Sequence, residues 1–218
     1  MRVLKYSLLI FLMGFSLKVF SQDQDSAKII RRSSGLSLSY NSSLIYPGVR
    51  AGVELPVETI HLIKSKKSGE KKYFIRDRFI TLNLGWYHHP QFQDNIYLTG
   101  GWTMRRTNEK GFFTEFSPEL GISRTFLGGT TYVVDDNGNV RIKRLAGYFY
   151  ALISAGGGIG YDFEKTKKIP LKVFLKLNLL MMFPYNSTIY LRPAAEIGFV
   201  YRLPNFLSMK VKSKNKSR

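Results

Sequence analysis

The chain is expected to be all-β: an eight-stranded antiparallel transmembrane β-barrel, an up-and-down meander that follows a cleaved signal peptide. The first ground is segment 187–203, whose chemistry alternates residue by residue. Ile189, Leu191, Pro193, Ala195, Ile197, Phe199, Tyr201 and Leu203 fall on one face. Tyr190, Arg192, Ala194, Glu196, Gly198, Val200 and Arg202 fall on the other. A strand turns successive side chains to opposite faces, so this ribbon is oily on one side and charged on the other. The second ground is that nothing after residue 22 approaches eighteen consecutive apolar residues, so no helix is expected to span a bilayer. The third is the sorting of bulk, with large aromatics on the apolar faces and small residues opposite them.

The first residues are a targeting signal rather than fold. Arg2 and Lys5 make a positive start, 7–17 is an apolar run, and Val19-Phe20-Ser21 offers a cleavage site. The run is too short to span, which reads as a signal peptide over 1–21. Cleavage removes Arg2, Lys5 and Lys18, taking the formal net charge from +18 to +15. The chain has no cysteine, which excludes a lipobox, disulfides and Cys-metal chemistry. The remaining stretch of about 197 residues suits one domain. It divides into an N-terminal segment (22–34), the barrel (35–203) and a basic periplasmic tail (204–218).

Seven alternating segments fill the barrel, and the even strand count of a single-chain bacterial barrel calls for an eighth, supplied by 35–40 with a start anywhere from Ile29 onward. Segment 35–40 sets Leu36 and Leu38 against Ser37 and Ser39. Segment 49–57 sets Val49, Ala51, Val53 and Leu55 against Arg50, Gly52 and Glu54. Segment 79–88 sets Ile80, Leu82, Leu84 and Trp86 against Thr81, Asn83 and Gly85. Segment 95–104 sets Ile96, Leu98, Trp102 and Met104 against Tyr97, Thr99, Gly101 and Thr103. Segment 112–126 sets Phe112, Phe116, Leu120 and Ile122 against Glu115, Ser117, Glu119 and Ser123. Segment 147–163 sets Phe149, Ile153, Ile159, Tyr161 and Phe163 against Tyr150, Ser154 and Asp162. Segment 171–183 alternates seven apolar residues from Leu171 to Phe183 with Lys172, Phe174, Lys176 and Asn178. Segment 187–203 closes the series. An even count suits a single-chain bacterial barrel, and strands of roughly nine to twelve residues suit a tilted crossing.

The apolar faces must then meet lipid. Eight strands leave an interior barely wide enough for side chains or one small ligand. Trp86, Trp102, Phe112, Phe116, Phe149, Phe163, Phe183 and Phe199 are too bulky a set for it. Gly52, Gly85, Gly101, Gly121, Gly156, Gly158, Gly160, Ala194 and Gly198 fit inside. Aromatics near strand ends match an interfacial girdle.

On these residues the chain resembles small bacterial outer-membrane β-barrels, in particular those whose Bacteroidota-type signal peptides end Phe-Ser-Gln, here Phe20-Ser21-Gln22. The resemblance covers about 35–203. It implies the outer membrane of a Gram-negative cell and a closing aromatic strand read by the assembly machinery, here Phe199-Val200-Tyr201-Arg202-Leu203. The basic tail after that strand departs from the family pattern.

With both termini periplasmic, connections 41–48, 89–94, 128–143 and 184–187 fall outside the cell. Connections 61–77, 106–111 and 164–170 fall inside. Asn137-Gly138 within Asp135-Asp136-Asn137-Gly138-Asn139 predicts a type I′ hairpin turn. Positive charge sorts inward: Lys64, Lys66, Lys67, Lys71, Lys72, Lys165, Lys167, Lys168, Lys210 and Lys212 form a basic periplasmic rim. Such a rim attracts anionic outer-membrane lipid or an acidic protein partner. Nucleic acid is a poor partner, because the basic residues are not interleaved with exposed aromatics.

Inside, Arg50, Lys172, Lys176, Arg192 and Arg202 face Glu54, Glu115, Glu119 and Glu196. Buried charges survive when paired, which predicts a salt-bridge ladder closing the lumen. Glu115 and Glu119 lie about 13 Å apart along a strand, wider than a glycosidase acid pair. Some eight-stranded barrels are lipid A deacylases or acyltransferases that use His with Ser near the outer rim, yet His88 and His89 lack a Ser two residues on and an acidic orienter within the strand. Only a distant Ser42 or Ser43 would complete that set. Adjacent histidines on opposite faces chelate one metal badly. Gly156-Gly157-Gly158-Ile159-Gly160 is no phosphate cradle, lacking the following Lys and a helix. No catalytic residue, cofactor or metal is expected. The expected role is structural or interactive, as a subunit of an outer-membrane assembly. The alternatives are an enzyme acting on lipid A through the rim histidines, or a narrow pore.

Overall fold

The computed structural model describes residues 28–43, 46–65, 71–90, 92–185, 188–203 and 207–217. The expected signal peptide, Lys66 and Lys67 lie outside these residues. The strands are β1 (Lys28–Arg32), β2 (Gly35–Ser43), β3 (Tyr46–Ser65), β4 (Lys71–His89), β5 (Gln93–Asn108) and β6 (Phe112–Leu127). They continue as β7 (Tyr132–Val134), β8 (Val140–Ile142), β9 (Phe149–Asp162), β10 (Leu171–Tyr185), β11 (Thr188–Arg202) and β12 (Met209–Ser217). One helical turn, α1 (Phe163–Lys167), links β9 to β10.

Eight of these strands close on themselves. β2, β3, β4, β5, β6, β9, β10 and β11 pair antiparallel in chain order, and β11 returns to β2. All eight expected segments overlap this ring, though 147–163 overruns its strand: Gly147 and Tyr148 precede β9, and Phe163 opens α1. Each is flanked by alternating residues, so closure satisfies backbone donors and acceptors with no open edge within it. Gly35 pairs with Arg202 at one end of the ring, which places the first and last ring strands at the same rim, as an even count requires.

The burial pattern is inverted relative to a water-soluble core. β11 reads exposed at Leu191, Pro193, Ala195, Ile197 and Phe199 and buried at Arg192, Ala194, Glu196 and Val200. Leu177 is 70% exposed, whereas Arg105 is 1% exposed. Glycines make the interior possible. A Cβ on Gly85 would lie 2.1 Å from the Tyr97 ring, and one on Gly160 would lie 2.2 Å from the Phe113 ring. Both separations are impossible, so the glycines are the sockets for inward aromatic rings.

The ring differs from expectation in strand length and at its ends. β3 has 20 residues and β4 has 19, well beyond nine to twelve. Their pairing runs on to Lys64↔Lys72 and Ser65↔Lys71. The expected long inner connection over 61–77 is therefore mostly a projecting hairpin, because the mostly apolar stretch 61–63 pairs with Tyr73-Phe74-Ile75 and carries the ladder past the ring. A register shift between Pro56 and Glu58 marks where the hairpin leaves it. Proline has no N–H to donate, so a bulge is where a strand tolerates one.

β2 ends its pairing with β3 at Gly35↔Glu54, leaving the edge of 58–63 open. β12 fills that edge in parallel, and β1 pairs antiparallel with β12. The segment read as a basic tail thus contains a strand, and the N-terminal segment contains another. Val211 is fully buried there, one apolar residue among alternating lysines.

At the opposite rim β7 and β8 form the expected hairpin. The turn is not type I′: Gly138 N donates to Asp135 O at 2.9 Å, and only Gly138 takes a positive φ, 82°. Asp135 Oδ1 accepts from Asn137 N and Asn139 N. These acceptors favour a three-residue loop with a left-handed glycine over the two-residue alternative. Among the described residues no helix is long and apolar enough to cross a membrane.

Candidate functional site

The interior is layered from the rim bearing the β7–β8 hairpin to the rim bearing Gly35 and Arg202. The first layer is apolar and tyrosine-rich: Tyr87, Tyr97, Tyr150, Leu152, Leu180, Met182 and Ala194, covered by half-buried Tyr46 and Tyr190. Below it Arg50 bridges two strands, reaching Glu119 at 2.5 Å and Glu196 at 3.3 Å. Glu119 also accepts from Thr99 at 2.7 Å and Asn83 at 3.3 Å. Glu196 accepts from Ser39 and Asn178, both at 2.6 Å.

The third layer centres on Arg105. Its guanidinium grips Glu54 through two bonds, at 2.6 and 2.9 Å, and lies 2.7 Å from Glu115. Lys176 closes on the same Glu115 at 2.7 Å. Phe79 and Phe113 lie beside the guanidinium of Arg105, at 5.0 and 4.9 Å. At the far rim Lys172 meets Asp162 at 2.8 Å, Arg32 meets Asp77, and Arg202 meets Glu164 of α1. Thr59 donates to Asp77 at 2.8 Å.

The nine sequence-predicted interior charges do not form one ladder. Arg50, Glu119 and Glu196 come together, as do Glu54, Glu115 and Lys176. Lys172 pairs with Asp162 and Arg202 with Glu164, outside the expected set. Arg192 meets no carboxylate among the described residues; it stacks on Tyr87 at 3.6 Å. Arg105 and Asp77 were missed because each sits just past a segment boundary. Extending the parity of Thr99, Gly101 and Thr103 by one step reaches Arg105, and Phe79 points back to Asp77.

The space that remains is small where charge is dense. Arg50, Glu54, Glu119, Lys176 and Glu196 line a cavity of about 20 Å³, about one water in size. A wider polar vestibule of about 250 Å³ opens at the Gly35 rim among Arg32, Asp77, Asp162, Glu164, Lys165 and Arg202. Glu115 and Glu119 are each held by cations, and Glu119 by neutral donors as well.

The rim histidines are separated as expected, with a correction. His88 has an acidic orienter, supplied by the next strand: Nδ1 lies 2.9 Å from Asp94 Oδ1, and His88↔Asp94 is a β4–β5 pair. Asp94 lies on β5, outside the strand that carries the histidines. Neither of the two candidate serines joins them. Ser43 faces the interior and donates to the Pro193 carbonyl, whereas the His88 side chain is 45% exposed on the outer face. Ser42 lies on β2, and β3 intervenes, placing it roughly 10 Å away. His89 turns inward against Tyr46, with ring centroids 4.3 Å apart. Among the described residues no group of His, Cys, Asp or Glu forms a metal cluster.

The basic residues collect at the Gly35 rim. Lys64, Lys71 and Lys72 lie on the β3–β4 hairpin, Lys165, Lys167 and Lys168 on and after α1, and Lys210 and Lys212 on β12. α1 is built for that position: Asp162 caps it by accepting from Glu164 N at 3.1 Å, and Lys168 ends it at φ 58°. Lys165 Nζ donates to the Asn108 carbonyl at 3.0 Å, tying two connections together. The others are exposed.

No protein-family model matches the chain, and no curated protein matches it. Among solved structures it is similar to Neisserial surface protein A (NspA), at 9% identity over 79% of this chain and 96% of that one, with a TM-score of 0.43. It is similar to the N-terminal β-barrel domain of Pseudomonas aeruginosa OprF, at 13% identity over 79% of this chain and 100% of that one, with a TM-score of 0.40. It is also similar to the β domain of the Bordetella autotransporter BrkA, at 12% identity over 83% and 64%, with a TM-score of 0.34.

Proposed function

We propose that the chain is a non-enzymatic outer-membrane β-barrel, exported by a cleaved signal peptide, with a closed, salt-bridged interior and a structural or interaction role in an outer-membrane assembly. The inverted burial pattern carries this reading. A belt of Leu82, Leu98, Leu120, Ile153, Leu177 and Ile197 faces outward, each at least two-fifths exposed. Exposing such a belt to water forfeits on the order of 1.5–3 kcal/mol per large side chain, whereas hydrocarbon accepts it at no cost. The enclosed charges other than Arg192 are paired, which is how ionised groups survive in a narrow lumen. The water-sized mid-lumen cavity favours a plug over a pore. The basic rim then faces the periplasm, where it suits anionic lipid or an acidic protein surface.

Two measurements on the same preparation test this. The detergent-extracted protein is expected to run faster on gels unheated than boiled, and to leave a planar bilayer electrically silent. A polypeptide that stays monomeric and folded in plain buffer would overturn the membrane reading. Stepwise conductance would overturn the closed interior alone.

A further inference from the structure

Arg192 is the one buried cation among the described residues that lacks a carboxylate. Arg50, Arg105, Lys172 and Lys176 each lie within 2.8 Å of one. Arg192 is 1% exposed, and its Nε, Nη1 and Nη2 have no hydrogen-bond partner. Its guanidinium carbon lies 3.6 Å from the Tyr87 ring centroid. Stacking of a desolvated cation on a ring recovers less than desolvating the ion costs. Stacking also spends only the face of the group. The five N–H donors radiate in the guanidinium plane, in the fork that matches a two-oxygen acceptor.

The position on β11 sets the access route. Arg192 lies one inward step below half-buried Tyr190, near the rim carrying the β7–β8 hairpin. Tyr46 and Tyr190 pack over the apolar layer around it. Both sit closer to that rim than Arg192, at the start of β3 and of β11, and both are half-buried. Away from the mouth, the Arg50–Glu119–Glu196 layer closes the route.

We propose that Arg192 anchors a binding site for an oxyanion, a carboxylate or phosphate group, that enters between Tyr46 and Tyr190 and takes the in-plane donors. The proposal goes beyond the membrane reading and needs only the ring interior. The test is titration of the refolded protein in an uncharged maltoside detergent, followed by the arginine Nε–Hε resonances and assigned with Arg192→Gln. Acetate, inorganic phosphate and lysophosphatidylglycerol are added in separate arms. A saturable shift of the Arg192 signal with acetate or phosphate identifies a free oxyanion, and a shift with lysophosphatidylglycerol alone identifies a lipid headgroup. Arg192→Lys keeps the charge without the fork; followed through the Tyr87 ring resonances, which report on the same site in parent and variant, it is expected to bind at least tenfold more weakly. A signal unmoved in all three arms, or the same saturation in Arg192→Lys, overturns the proposal. Should the variants fail to refold, an all-arginine titration of the parent decides: one saturable resonance supports it and none overturns it.

Discussion

Arg105 is the residue on which the interior turns. It is enclosed by Glu54, Glu115, Phe79 and Phe113, and each of its carboxylate partners is itself buried. Replacing it with methionine leaves Glu54 without its main cation and Glu115 with Lys176 alone. Breaking a buried pair from one side costs about 3–5 kcal/mol, so Arg105→Met is expected to lower the urea midpoint of unfolding measured by loss of heat-modifiability. Arg105→Lys should recover only part of the loss, since an ammonium cannot hold Glu54 through two parallel bonds and reach Glu115 as well. This residue was within reach of the sequence, one parity step beyond Thr103. Its partners were not. Glu54 and Arg105 are on strands separated by β4, and local alternation says which face a residue takes, not which residue it meets across a cylinder.

At the scale of elements, β12 shows how a basic tail becomes part of a sheet. Lysines alternate with Val211, Ser213 and Asn215, a pattern consistent with solvated chain until an open edge is offered. The lower half of β3 offers one. Deleting 207–218 is expected to leave the eight-strand ring and its gel shift intact while trypsin cuts the β3–β4 hairpin at least tenfold faster. Loss of the gel shift would instead make β12 part of the ring's own stability. The boundaries of β3 and β4 were legible only in their ring portions. Beyond Pro56 both faces carry apolar and basic residues, and the period-two signal no longer distinguishes inside from outside. The β7–β8 hairpin was legible from its glycine. Its turn type was not, because side-chain acceptors on Asp135 choose between two loops that share one glycine.

For the whole molecule, the decisive matter is the medium around it. Leu177 is 70% exposed near the middle of β10. In a water-soluble protein Leu177→Arg at such a site would change stability by roughly 0.5 kcal/mol or less. In a barrel crossing a bilayer, arginine on the lipid face near the midplane costs about 2–4 kcal/mol. Urea unfolding in phospholipid vesicles is expected to show the larger loss, and a negligible one would place Leu177 in water. The same inside-out arrangement explains why so basic a chain encloses a nearly balanced set of charges: the surplus sits on the rim and the projecting hairpin, where water solvates it.

Alternation, together with the even strand count of a single-chain barrel, determined the number of ring strands, the face taken by nearly every residue within them, and the gathering of lysines at one rim. Those follow from a side-chain period of two and from chain-order pairing, both local properties. Only the closed structure decided that Arg50 meets Glu119 and Glu196, that Arg105 rather than Arg192 joins the ion pairs, and that the tail returns to β3. Those depend on the stagger with which eight strands close and on which edge closure leaves unpaired, and neither quantity is written in any one segment.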